Sequence, residues 1–391
     1  MITLLVFSIA LVIAILLSEL ANRSILSAAV LFLVAGFIAG SGGFGLIGSD
    51  PHQPLVTVIA QIALCTVLFT DGMRAGVRDI AAAWRLPGRA LLLGLPLTLL
   101  ITALLAHAFT GTGWLMALLI GAILSPTDPV FAAAIVGRQE VPKRLRFLLN
   151  VESGVNDGLV LPVVLALLAI VGHEQASFAE LGGELAWGIA IGIMVPLGIC
   201  KLESSSFFGV AKPFEPLFAF AIGLFVVMLA AATNGNIYLA AFAAGSTIAS
   251  TREDLRNEFH QFGELVTELA KLNAILVFGA MISPAYFADI GIGGYLFALC
   301  VLLVARPVAL FVSLWGCALG WRERISAAWF GPKGFASIIY GLLLFQHGVP
   351  QAEHYFHIIA IAILASMIAH STTDVLLARW FASSSQSRTA G

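Results

Sequence analysis

Apolar runs, each about long enough to cross a bilayer, recur along the whole chain and are separated by short polar segments. They fall at about 2–21, 24–41, 54–71, 88–110, 113–137, 145–171, 183–201, 214–232, 236–250, 265–286, 290–319, 325–346 and 356–380. The pattern predicts an all-α polytopic membrane protein with about 13 transmembrane helices. Two boundaries stand apart. The run at 236–250 is short, and TREDLRNEFHQFGELVTELAK at 251–271 is amphipathic, so it is expected to lie along the membrane surface before the next span begins.

An odd number of spans fits two six-helix halves, about 2–171 and 214–380, inverted relative to each other and joined by a linker helix. The expected division is 1–171 for the first repeat, 172–212 for the linker, 213–381 for the second repeat and 382–391 for a short tail. Each half carries a fifth span interrupted by helix-incompatible residues: Pro126-Thr127-Asp128-Pro129 in the first, Gly331-Pro332-Lys333-Gly334 in the second. Proline removes a backbone donor and crowds the preceding turn, and glycine lowers the cost of unwinding. Matching breaks of this kind point to a binding site near the membrane midplane.

Composition agrees. Of 391 residues, 60% are hydrophobic and 11% charged, against about a quarter charged in soluble domains; the mean hydropathy is +0.99. The net charge of -2 gives no support to nucleic-acid binding; where the charges lie matters more. With loops numbered in order, the odd ones carry Arg23; Arg74, Arg78, Arg85 and Arg89; Arg138, Lys143, Arg144 and Arg146; Lys201 and Lys212; Arg252 and Arg256; and Arg322 and Arg324, with Arg379 and Arg388 after the last span. The even loops have no Lys or Arg and hold Asp50, Glu174, Glu180, Glu184, Asp289 and Glu353. Only Lys271, Arg306 and Lys333 fall within or beside spans. The positive-inside rule then places the N-terminus outside and the C-terminus in the cytoplasm, in a bacterial inner membrane. The first run lacks a basic leader and a small-residue cleavage site and is expected to be retained. Cys65, Cys200, Cys300 and Cys317 show no CxxC spacing and read as small packing residues.

The candidate chemistry lies between Leu124 and Asp157. Asp128, Glu152 and Asp157 interrupt apolar runs, and a carboxylate within a bilayer is by default a candidate for an ion or proton pathway. Around PTDP, unwound carbonyls and half-helix ends, with the oxygens of Thr127 and Asp128, can ligate a small cation; the plainer alternative is that Asp128 caps a helix and the prolines only kink it. In ESGVNDG, Glu152 and Asn156, and Ser153 and Asp157, stand four apart on adjoining helix faces. Such oxygens suit hard cations such as Na+, and no His/Cys cluster suggests a transition metal. Asp157 is the strongest candidate for the titrating group, against the alternative of a buried carboxyl held protonated or paired. Arg306 needs an anionic partner, and a structural ion pair with Glu152 is favoured. Lys333 can offset half-helix dipoles and the charge of Asp128.

Other features carry less. GSGGFG at 40–45 resembles a phosphate loop but follows an apolar helix, so an outer loop is expected. Asp71 either borders an ion path or caps a helix end. His347, His354 and His357 cluster at an outer mouth and could tune a pH response. His370 and Asp374 read as polar glue between helices.

PTDP, ESGVND, the Arg306-Pro307 helix, WFGPKGF at 329–335 and HSTTDVLLARW at 370–380 together resemble the monovalent cation/proton antiporter family that includes the NhaP-type bacterial and NHE-type animal exchangers, in order and over nearly the whole chain. The resemblance implies a thirteen-helix inverted-repeat homodimer with a mobile core and a scaffold. It implies that Asp157 binds the cation or a proton in competition, with Thr127, Asp128 and Ser153 as further ligands. Asn156 would brace the unwound span, and Glu152 with Arg306 would form an interhelical ion pair. The Asn-Asp pair marks the branch expected to exchange one cation for one proton without net charge. Na+ is expected first, with Li+ and K+ as alternatives, and no cofactor is implied. One departure bears on pH dependence and ion preference: the family usually has arginine where this chain has Lys333, and lysine lacks the planar fork. No long soluble segment follows Trp380, so neither a nucleotide-binding regulatory domain nor a phosphorylated tail is expected.

Two other classes compete. A cation channel or uniporter would not need a titrating carboxylate at an alternating site. An intramembrane enzyme would need chemistry that the chain does not spell, since it lacks HExxH, GxSxG and a paired-aspartate protease motif.

Overall fold

Where no water can satisfy the backbone, an apolar run has to close its hydrogen bonds within itself, and the runs of this chain do so as helices. The computed structural model describes residues 2–17, 28–48, 51, 53–74, 86–128, 141–172, 178–205 and 207–389, which contain no β-strand. Arg23, Asp50, Arg78, Arg85, Pro129, Arg138 and Glu174 lie outside the described residues, as do the side chains of Asp374, Arg379 and Arg388.

In chain order the helices are α1 (Ile2–Leu16), α2 (Ala28–Ala39), α3 (Pro54–Arg74), α4 (Pro87–Thr110), α5 (Trp114–Ile123), α6 (Lys143–Val171), α7 (Phe178–Glu203) and α8 (Glu215–Ala232). They continue with α9 (Ile237–Thr251), α10 (Glu253–Met281), α11 (Gly291–Ser313), α12 (Trp321–Trp329), α13 (Phe335–Gln346) and α14 (Ala352–Thr389). By length and composition, seven helices among the described residues can cross a membrane, and several shorter apolar ones accompany them. Large apolar side chains such as Leu4 on α1, Leu100 on α4 and Met228 on α8 are exposed, as suits a surface solvated by lipid.

The helices sort into two bundles. α1, α2, α3, α7, α8, α9 and α10 pack on one another, and α4, α5, α6, α11, α12, α13 and α14 form the second group. The bundles meet chiefly where α3 lies against α6 and α13 and where α10 lies against α13, with smaller contacts of α6 on α9 and of α14 on α2. Within the first bundle, helices approach backbone to backbone. A Cβ on Gly72 of α3 would strike the Phe242 carbonyl, and one on Gly245 of α9 the Phe69 carbonyl; Gly36 and Gly279 make the same reciprocal contact between α2 and α10. Neither obstacle can swing aside, because each is main chain. Gly245→Val should therefore cost about 1–3 kcal/mol as an overpacked contact, read as a lower thermal midpoint, whereas Gly182→Ala, with open space at its Cβ, should leave the midpoint unchanged or higher.

The amphipathic stretch at 251–271 is not a separate surface helix. It is the first part of α10, one continuous helix of 29 residues, about 43 Å long and so longer than a hydrocarbon core of about 30 Å. Its apolar face is taken up within the bundle: the ring of Phe259 meets Phe69 edge-on, with centroids 5.5 Å apart, and Arg256 Nη2 donates to the Arg74 carbonyl at 2.8 Å. The glycine-rich segment at 40–45 closes the end of α2, with Phe44 N donating to the Ile38 carbonyl and Gly45 at φ 63°. The last helix continues to Thr389, past the 381 boundary expected for a tail.

α4 and α11 share a distortion. Each contains a π-turn, Ala90–Gly94 in one and Val301–Ala305 in the other, followed at once by Leu95-Pro96 or Arg306-Pro307. A proline ring crowds the carbonyl of the preceding turn, and a π-turn widens the helix to relieve it. In α11 this sets Arg306 at the start of the next helical segment, where it is buried.

Candidate ion site

The two breaks cross each other. α5 ends at Ile123 and the chain is non-helical through 126–128; between α12 and α13 it is extended through 330–334. Asp128 N donates to the Pro332 carbonyl at 2.9 Å, and Phe335 N, at the first turn of α13, donates to Asp128 Oδ2 at 3.1 Å. In return Ser337 Oγ of α13 donates to the Ile123 carbonyl at the end of α5, 2.7 Å away. Each half-helix end thus meets a side chain of complementary character, a carboxylate at an N-terminus and a donor at a C-terminus. The Asp128 carboxylate thus meets the N-terminus of α13, an element of the other break. Gly334 is required here, since a Cβ would collide with the Asp128 side chain.

Lys333 lies with its Nζ 3.4 Å from the Ser125 carbonyl and 3.5 Å from that of Pro126, while its N–H donates to Ser366 Oγ. Its ammonium therefore lies against the carbonyls of the non-helical segment that follows α5. The cation in contact with Asp128 is a different one: Lys271 Nζ, from α10, stands 3.3 Å from Asp128 Oδ1. Sequence reasoning left Lys271 out of the site. The available signal was an isolated lysine in an apolar run, but the charged, amphipathic residues before it made it look like the edge of an interfacial segment.

α6 carries the other side of the site. Asn156 Nδ2 donates to Thr127 Oγ1 at 2.8 Å and weakly to the Thr127 carbonyl at 3.4 Å, which fixes the unwound segment against α6. Ser153 Oγ donates to the Leu149 carbonyl of its own helix and is buried on the Asp157 face. The Asp157 carboxylate is buried and, among the described residues, makes no hydrogen bond or ion pair; the charges that face it are Asp71, Asp128 and Lys271. Its backbone carbonyl accepts from Tyr340 OH of α13 at 2.9 Å, a contact the sequence did not announce. Asp71 is buried on α3 and lies 3.4 Å from Arg74, which also reaches Glu264 at 3.0 Å; Thr70 and Thr267 bond beside them, tying α3 to α10. The site is thus a meeting of both bundles: Thr127, Asp128, Asn156 and Asp157 from the second, Asp71 and Lys271 from the first.

Glu152 points elsewhere. Its two oxygens accept from Arg306 Nη1 at 2.6 Å and Nη2 at 3.0 Å, a bidentate pair buried within the second bundle. The guanidinium lies across Gly331, where a Cβ would collide with it, so this pair holds α6, α11 and the second break together. His370 does similar work, placing one ring nitrogen 2.9 Å from the Trp329 carbonyl and the other 2.7 Å from that of Ser366. An apolar cavity of about 300 Å³ between α3, α8 and α10 has no carboxylate in its lining and reaches as far as Thr70.

At the N-terminal end of α14, His354 and His357 each place Nδ1 2.8 Å from Oδ2 of Asp289, the last residue of a short helix, Pro284–Asp289, that precedes α11; His347 is not part of this triad. Slight burial pushes the Asp289 carboxyl up, but the hydrogen bonds from His357 and His354 outweigh it and hold the group below the ordinary carboxylate range. A group depressed on folding adds stability above its unfolded value and loses that stability as pH falls through its folded value. The Asp289 side chain is 40% exposed, so the effect is small. Asp289→Asn should flatten the acid limb of thermal midpoint against pH below about pH 4, with little change near neutrality; an unchanged limb would show that the triad does not hold this short helix to α14.

A family profile described as "Sodium/hydrogen exchanger, transmembrane" matches residues 7–380. The K(+)/H(+) antiporter NhaP2 of Shewanella baltica is 26% identical over 94% of this chain and 64% of its own length. The K(+)/H(+) antiporter NhaP of Alkalimonas amylolytica is 25% identical over 97% of this chain and 66% of its own. The chain thus spans about two thirds of the length of these curated relatives. Among solved structures, the sodium proton antiporter MjNhaP1 from Methanocaldococcus jannaschii superposes with a TM-score of 0.77 at 19% identity, covering 97% of this chain and 99% of that one, which shows a shared fold.

Proposed function

Because this chain belongs to the sodium/hydrogen exchanger family, we propose that it exchanges a monovalent cation for H+ across a membrane by alternating access, with Asp157 as the shared cation and proton site. The observation that carries this reading is the Asp157 carboxylate itself, buried without a partner among the described residues at the boundary between two bundles. A proton arriving from one side displaces the cation; a cation arriving from the other displaces the proton. Movement of the second bundle against the first switches the side from which the carboxylate is reached. Thr127, Asp128 and Ser153 lend oxygens, and Asn156 keeps the unwound segment in place.

One-for-one exchange is read from the single carboxylate at the shared site, since one proton or one monovalent ion balances the charge of Asp157. The oxygen ligands suit Na+ and K+ alike, and the relatives named for K+/H+ exchange and the structural neighbour named for sodium and protons support keeping both as candidate cargo.

The thirteen-span inverted repeat is part of the same proposal. It is supported by the way each six-span half contributes its first three spans to one bundle and its last three to the other, with π-turns at matching places in α4 and α11. The face rich in Arg and Lys is taken as cytoplasmic, and a homodimer as the working assembly. In proteoliposomes with the membrane potential clamped, adding Na+, K+ or Li+ outside should move protons and identify the cargo ion. Cation flux with no proton movement would instead favour the channel or uniporter.

A further inference from the structure

Among the described residues, two fully buried ion pairs differ in construction. Arg306 and Glu152 both belong to the second bundle and meet through two hydrogen bonds. Lys271 and Asp128 belong to different bundles and meet through a single contact of 3.3 Å. The first fastens one rigid unit together. The second spans the boundary along which alternating access requires movement, so it has to be exchangeable.

We propose that Lys271 is a tethered cation that competes with the transported ion for Asp128, holding the two bundles in register until cargo displaces it. The inference rests on the reading above that Asp128 and Asp157 receive the cargo. Lys271 is 5% exposed, and the charged groups that face it are Asp128, Asp71, Arg74 and Glu268. Its ammonium is a compact point charge on a flexible stem, much like an alkali ion on a leash, whereas an arginine would grip the carboxylate through a planar fork. Asp157 faces the same ammonium. An ion entering beside Asp157 is repelled by Lys271 and shares Asp128 with it, which weakens cargo binding and so favours release on the far side. Lys271 is therefore a positioning residue that sets cargo affinity, and it acts as a fixed charge.

The test is the dependence of initial exchange rate on cation concentration in proteoliposomes, for the wild type, Lys271→Gln and Lys271→Arg. Removing a unit charge this close should lower the KM for the cation at least about tenfold, with kcat falling because release slows. Lys271→Arg should keep KM within about threefold while its fork slows kcat about fivefold or more. A residue that only supports the fold would not tighten cation binding when truncated. An unchanged or raised KM in Lys271→Gln overturns the proposal, as does an arginine variant that behaves like the glutamine one. Should Lys271→Gln not be recovered folded, Lys271→Arg decides alone, and an undiminished kcat overturns the proposal. If the wild type itself shows no cation-coupled proton flux, the exchange reading has failed. The role of Lys271 is then read from the cation concentration that half-stabilises the purified protein against heat, which should be lower in Lys271→Gln and overturns the proposal if equal or higher.

Discussion

Asp157→Asn is expected to lose cation-coupled proton flux by at least about 100-fold, equivalent to about 2.7 kcal/mol of lost function, while leaving the protein as stable as the wild type. The two halves of this expectation come from the same geometry. The amide is nearly isosteric but cannot exchange a proton for a cation at physiological pH. The carboxylate it replaces makes no hydrogen bond or ion pair among the described residues, so no network is broken. Asp128→Asn should behave differently, because that carboxylate receives both Phe335 N and Lys271 Nζ. Its replacement should lower the thermal midpoint as well as the flux. Flux above about a tenth of wild type in Asp157→Asn would move the shared site to another residue.

Replacing either member of the Arg306–Glu152 pair should have the largest effect on stability. Removing one partner leaves a buried charge without compensation, which costs about 3–5 kcal/mol. Arg306→Met would strand the Glu152 carboxylate, and Glu152→Gln would strand a guanidinium whose Nε already has no partner among the described residues. The double variant Arg306→Met with Glu152→Leu should recover much of the loss, since two apolar groups then pack where two charges were desolvated. Heat survival of the folded peak in detergent measures all three. If Arg306→Met melts like the wild type, the pair does not fasten α6 to α11.

Much of this architecture is legible in the residues because the bilayer leaves the chain few options. Spanning length dictates where the helices fall, and the prolines and glycines of PTDP and GPKG show where two of them cannot continue. The pairing of Arg306 with Glu152 is legible for a similar reason: a guanidinium in a span must find an anion, and few are within reach. What the one-dimensional pattern hides is which break meets which side chain. Lys333 and Lys271 are both isolated lysines in apolar surroundings, and only the crossing of α10 with the breaks assigns Asp128 to Lys271 and the carbonyls of Ser125 and Pro126 to Lys333. The amphipathic start of α10 misleads in the same way, because a face that buries Leu255 and Phe259 against protein has the same periodicity as one that would lie on lipid. Tyr340 and Ser337 could not be singled out at all, since their partners are main-chain carbonyls from distant segments.

The most direct test is to add Na+ or K+ to the purified protein in weakly buffered detergent solution and count the protons released, for the wild type and for Asp157→Asn. If cation and proton share one carboxylate, the wild type releases about one proton per ion bound and the variant releases none. Cation binding to the wild type without proton release, or equal release from both proteins, would contradict the assignment of Asp157 as the shared site.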